Sequence, residues 1–106
     1  MVKRKDLKNT LLNLIKKKDI KASKIVIFGS YAKDDLKQDS DIDIIIVSND
    51  FKNKDLFERV FLMRGVHTEL VKTFMRPFDL MYYSDEEWEK RYSPVINTAK
   101  EEGEIL

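Results

Sequence analysis

The sequence predicts an α+β fold, a small mixed β-sheet packed with helices, and three observations carry that expectation. Segments of helical periodicity alternate with short β-branched runs along the chain. The first two runs are joined by about a dozen residues, short for a parallel crossover, so strand one should lie antiparallel to strand two. The second and third runs are joined by a long helical pattern, so strand three should lie parallel to strand two through a right-handed crossover.

Each element has its own signal. Leu7, Leu11, Leu14 and Ile15 recur at helical spacing and predict an amphipathic helix over residues 4–18. Ile25-Val26-Ile27-Phe28 is a buried strand that ends at Gly29. A short helix starts near Ser30, which reads in isolation as an N-cap, and residues 37–40 form a loop. Residues 42–47 are strand two. Leu56, Val60, Met63, His67, Leu70, Val71 and Phe74 predict one long helix over residues 54–74, with Gly65 as its weak point. Pro77 blocks further helix and residues 78–83 form strand three. Ser84-Asp85-Glu86-Glu87 is a capping box, and Ser93-Pro94 starts a last helix that Gly103 ends. Residues 104–106 add a terminal strand.

Composition bounds the function. Apolar residues make up 42% and charged residues 37%, a globular balance that places residues 1–106 in one domain. The absence of cysteine excludes a disulfide framework, a thiolate zinc site and a thiol nucleophile. No stretch has the length and apolarity of a leader or a membrane span, so a cytoplasmic protein is expected. Net charge is +1, too small for a general polyanion binder. The basic stretch Met1 to Lys24 and the acidic stretch Asp85 to Leu106 read first as solvated helix faces.

The predicted topology gathers polar residues at one edge of the sheet. Gly29 and Ser30 leave strand one, Asp41 and Asp43 enter strand two, and Asp79 enters strand three. Asp41 and Asp43 are two residues apart, a spacing that points both side chains to one face. Such carboxylates raise each other's pKa unless a cation neutralises them, and Mg²⁺ prefers oxygen ligands. With Asp79 they could organise two metals about 3.5–4 Å apart, as phosphoryl transfer uses. Gly29 would let a phosphate approach the backbone, beside the positive end of the next helix and the Ser30 hydroxyl.

Duller readings stand beside this one. Gly29-Ser30 is also an ordinary strand-to-helix turn. Asp41 and Asp43 also suit a solvated strand start, and Asp79 could face outward from an apolar strand. Other motifs fall away. A calcium loop would need glycine where Ile44 stands, and no Gly-Lys-Ser/Thr follows Gly29 to make a P-loop. His67, the one histidine, falls on the apolar helix stripe and reads as packed at the edge of the core.

Phe28-Gly29-Ser30, ten residues, then Asp41-Ile42-Asp43-Ile44 resembles the signature of the polymerase-beta-like nucleotidyltransferase superfamily. Ser40-Asp41-Ile42-Asp43 before three apolar residues is similar to its minimal nucleotidyltransferase (MNT) branch, and Asp79 falls where that family carries a third carboxylate. Small members usually read Gly-Ser-x-Ala-Arg-Gly. Here Lys33 stands for the arginine and Asp34 for the glycine. The resemblance implies catalysis and metal binding by Asp41, Asp43 and Asp79. It implies nucleotide binding by Gly29, Ser30, Lys33 and Ser40. Two Mg²⁺ ions and ATP or another nucleoside triphosphate would then serve transfer of a nucleotidyl group, with loss of pyrophosphate.

Larger relatives carry a second domain for the acceptor, and residues 1–106 are expected to hold only the first. The acceptor would come from a partner, a homodimer mate or a free substrate. Small members often pair with a helical HEPN-type toxin, some by transferring AMP to its tyrosine. A catalytically weak antitoxin or binding module of the same fold is the alternative. A nucleic-acid-directed transferase ranks last, because the basic first helix offers no aromatic residue for stacking.

Overall fold

In a computed structural model, which describes residues 2–106, eleven elements follow one another. Helix α1 (Arg4–Lys17) leads to strand β1 (Lys24–Phe28) and the single-turn helix α2 (Gly29–Ala32). Strand β2 (Ile42–Val47) and a 3-10 turn at Asn49–Phe51 precede helices α3 (Leu56–Leu62) and α4 (Val66–Phe74). Strand β3 (Phe78–Tyr83), helices α5 (Asp85–Glu89) and α6 (Pro94–Glu102), and the two-residue strand β4 (Glu104–Ile105) complete the order.

The sheet runs β3-β2-β1-β4. Strands β1 and β2 are antiparallel, and β2 and β3 are parallel, as the link lengths predict. Strand β4 closes antiparallel on β1. Alternation splits the core between the two faces of the sheet. Ile25, Ile27, Ile42, Ile44 and Ile46 pack with Leu7, Leu11 and Ile15 of α1 and with Val66 and Leu70 of α4. Val26, Phe28, Ile45 and Val47 pack on the other face with Trp88 of α5 and with Ile96 and Ala99 of α6. Asp43 belongs to this second set by its position in β2.

The predicted helix over 54–74 is two helices. Gly65 takes φ +89, a left-handed conformation that glycine reaches without steric cost, and the chain restarts there as α4. The break turns the first half. Leu56 and Val60, expected in the core, are 65% and 51% exposed, beside Phe57 at 83% and Phe61 at 65%. The buried residue of α3 is Arg59, with Leu62 packed at the edge of the core. Its guanidinium donates to the carbonyls of Lys54 and Tyr82 and pairs with Glu87 at 2.7 Å.

His67 is likewise exposed rather than packed, and its Nε2 lies 2.8 Å from the Phe78 carbonyl oxygen. Ser30 is not a cap. Helix α2 begins at Gly29, with Phe28 before it and no side-chain capping bond. The capping box at Ser84 and Glu87 is present, as is the Ser93 cap with Pro94 behind it. Among the described residues, no helix is long and apolar enough to cross a membrane.

Candidate active site

The parallel register sets Asp43 beside Asp79, and the antiparallel register sets Asp43 across from Phe28, the residue before Gly29. Three elements therefore deliver Gly29, Asp43 and Asp79 to one place. Asp43 is half-buried, whereas Asp79 and Asp41 are exposed. Asp41 lies one residue ahead of β2, within electrostatic reach of Asp43. Burial pushes the Asp43 carboxyl up from its ordinary value, and the charges of Asp79 and Asp41 push it further.

Gly29 is demanded twice. Its φ of +69 is one that side chains rarely adopt, and a Cβ there would collide with Oδ2 of Asp43. Gly29→Ala should therefore lose about 1–2 kcal/mol from backbone strain, beyond any cost of displacing Asp43. Urea unfolding of the two proteins would measure it, and an unchanged midpoint would refute the close approach.

The remaining sequence candidates are placed as follows. Ser30 is half-buried in the first turn of α2. Lys33, just past α2, faces Glu102 of α6 at 3.4 Å. The Ser40 hydroxyl lies 3.4 Å from the Lys37 amide, inside its own loop, and the Ser40 carbonyl accepts from Arg76 at 3.1 Å. Arg76 carried no signal in the sequence reading, because a lone arginine before Pro77 has no spacing to mark it. Asp34, which stands for the glycine of related motifs, has φ +57, a left-handed value that aspartate tolerates better than most residues. Its carboxylate pairs with Arg4 of α1 at 2.9 Å. That contact supplies an opposite charge for the extra negative one.

Among the described residues, no three His, Cys, Asp or Glu side chains stand grouped closely enough to ligate one metal ion. The donor chemistry of Asp41, Asp43 and Asp79 nevertheless fits a hard divalent cation. All three offer only oxygen, and the mutual repulsion felt at Asp43 is what such a cation would relieve.

Residues 8–106 match the family described as nucleotidyltransferase domain, and the chain belongs to that family. No curated protein sequence matches the chain. Among solved structures it is similar to a toxin–antitoxin complex with AMP-PNP, at 21% identity and a TM-score of 0.63, over 92% of this chain and 69% of that one. A mutant of the toxin–antitoxin pair MntA-HpeT gives 19% identity and 0.62 over the same shares. The tri-AMPylated HEPN toxin of Shewanella oneidensis in complex with its MNT antitoxin gives 20% and 0.54, over 92% and 66%. At these identities the likeness shows the fold alone, a mixed four-stranded sheet packed with helices.

Proposed function

We propose that this protein is a Mg²⁺-dependent nucleotidyltransferase that moves a nucleoside monophosphate, AMP from ATP, to a hydroxyl acceptor. The observation that carries the reading is the side-by-side register of Asp43 and Asp79 next to Gly29, within a nucleotidyltransferase family domain. Asp41 and Asp43 would hold the nucleotide's cation, and Asp79 with them a second one on the acceptor side. Bound there, divalent cations would neutralise the carboxylates and the triphosphate together. Gly29 leaves room against the backbone for the Asp43 carboxylate, and Ser30, Lys33 and Ser40 would contact the triphosphate. The acceptor hydroxyl gives up its proton to a site carboxylate or to water, its oxygen bonds to the α-phosphorus, the bond from that phosphorus to the β-bridging oxygen breaks, and pyrophosphate leaves.

The acceptor we favour is a tyrosine of a HEPN-type helical partner, as the AMPylated toxin among the similar structures suggests. The exposed apolar face of α3, formed by Leu56, Phe57, Val60 and Phe61, favours a protein partner of some kind. The same face also suits a second reading, an antitoxin that neutralises its partner by contact with weak or no transfer. One experiment separates them. The chain is expressed with the protein that co-purifies with it, ATP and Mg²⁺ are added, and the partner's intact mass is followed. Transfer adds one or more AMP units to the partner and none in the presence of EDTA. A partner of unchanged mass that still binds, at any ATP concentration, rejects the transferase reading and leaves the contact antitoxin.

A further inference from the structure

We propose that Arg76 is a positioning residue for the aspartate site: its guanidinium supplies a ladder hydrogen bond that Pro77 cannot, and so holds Asp41 in line with Asp43 and Asp79. The inference rests on the cation and nucleotide reading of those aspartates.

Strands β2 and β3 pair in parallel. Ile42 lies opposite Phe78, and the Ile42 amide donates to the Pro77 carbonyl at 3.0 Å. In a parallel ladder each paired residue donates to the residue before its partner and accepts from the residue after it. Stepping that register back by two sets Ser40 opposite Arg76. The Ser40 carbonyl would then draw its bond from the amide of residue 77. Proline has no amide hydrogen, so the ladder must stop there.

The structure fills the gap with a side chain. Nη2 of Arg76 donates to the Ser40 carbonyl at 3.1 Å and to the Lys37 carbonyl at 2.5 Å. Ser40 has turned its own amide back to Lys37, at 3.1 Å, so the loop otherwise leaves the ladder at this point. Nε of Arg76 is buried with no hydrogen-bond partner among the described residues, a desolvation accepted in reaching the two carbonyls. Ser40 is joined directly to Asp41. The clasp therefore fixes the peptide from which Asp41 projects, and it springs from the segment that delivers Asp79 three residues later.

Sequence chemistry offers a rescue that a general structural role would not. Pro77→Ala gives position 77 the amide hydrogen that the ladder lacks. The test takes the whole chain in three forms: wild type, Arg76→Met, and Arg76→Met with Pro77→Ala. Mg-ATP affinity is measured by calorimetry, and exchange at the Ile42 amide is followed by NMR. Arg76→Met should weaken Mg-ATP about 10–100-fold, the range for residues that orient metal ligands, and should speed exchange at Ile42. Adding Pro77→Ala should restore most of both. Wild-type affinity in Arg76→Met overturns the proposal. A loss that Pro77→Ala does not repair also overturns it and assigns Arg76 to direct phosphate contact. If wild type itself binds no Mg-ATP, the functional reading fails separately, and unchanged Ile42 exchange in Arg76→Met then rejects the clasp.

Discussion

Asp43→Asn is expected to make the metal-free protein more stable while abolishing Mg²⁺-dependent nucleotide binding. The two effects have one cause. Asp43 is half-buried beside Asp79, and burial, then Asp79, then Asp41 all disfavour its charge. A group whose folded pKa is raised destabilises the fold where it is ionised, so neutral pH is where the penalty is felt. Asparagine keeps the shape and removes the charge. Like charges directly opposite in a sheet cost up to about 1 kcal/mol, and relief of about 0.5 kcal/mol corresponds to roughly 2–4 °C in a domain of this size. The amide is a poor ligand for a hard cation, so any Mg²⁺-induced rise in Tm should vanish as well. Thermal scans with EDTA and with Mg-ATP give both readouts. A variant that melts lower than wild type in EDTA would show that Asp43 serves the fold, and that the repulsion argument is wrong.

The largest stability loss is expected from Arg59→Met. Arg59 is buried, spans the Lys54 and Tyr82 carbonyls, and pairs with Glu87 at 2.7 Å. Removing one member of a buried pair leaves the other charge uncompensated, at about 3–5 kcal/mol. Glu87 keeps some exposure and still accepts from the Ser84 amide, so the lower end, about 3 kcal/mol and roughly 10 °C or more, is the expectation. Acid should reveal the same contact. Burial alone would push the Glu87 carboxyl up, but the Ser84 backbone amide and the Arg59 guanidinium outweigh it and hold the group below its ordinary value of 4.5. Its contribution is therefore full above that value and is lost as pH falls through the lowered one. Arg59→Met should flatten this part of the acid limb of a stability–pH curve. A limb of unchanged slope would mean that other carboxylates set it.

What could be read in the sequence was local. Ile25 to Phe28 and Ile42 to Val47 announce themselves by composition, and the length of the links between runs determined which pairs are parallel. Gly29 and the spaced Asp41 and Asp43 lie in short contiguous motifs, so the approach of Asp43 to Gly29 followed once the strand directions were known. Arg59, His67 and Arg76 were not legible, because each acts on a carbonyl far away in the chain. Arg59 reaches Tyr82, His67 reaches Phe78, and Arg76 reaches Ser40. The pattern that predicted one helix from 54 to 74 counted Leu56 and Val60 as inward. The positive φ at Gly65 rotates that first half, and periodicity carries no information about such a turn.

Two of those long-range donors act together on β3. This strand is the outermost of the sheet on its side, so every second carbonyl points away from β2. Those of Phe78 and Tyr82 are of that set, and they are taken by His67 and Arg59. With two of the outward acceptors of Phe78, Leu80 and Tyr82 already engaged, this margin is a poorer template for another extended chain. Sideways growth into fibrils, and recruitment of a partner by strand addition, are thus discouraged at this border. Assembly is thereby steered away from the β3 border, toward the helices, the aspartate end of the sheet or the short β4 margin.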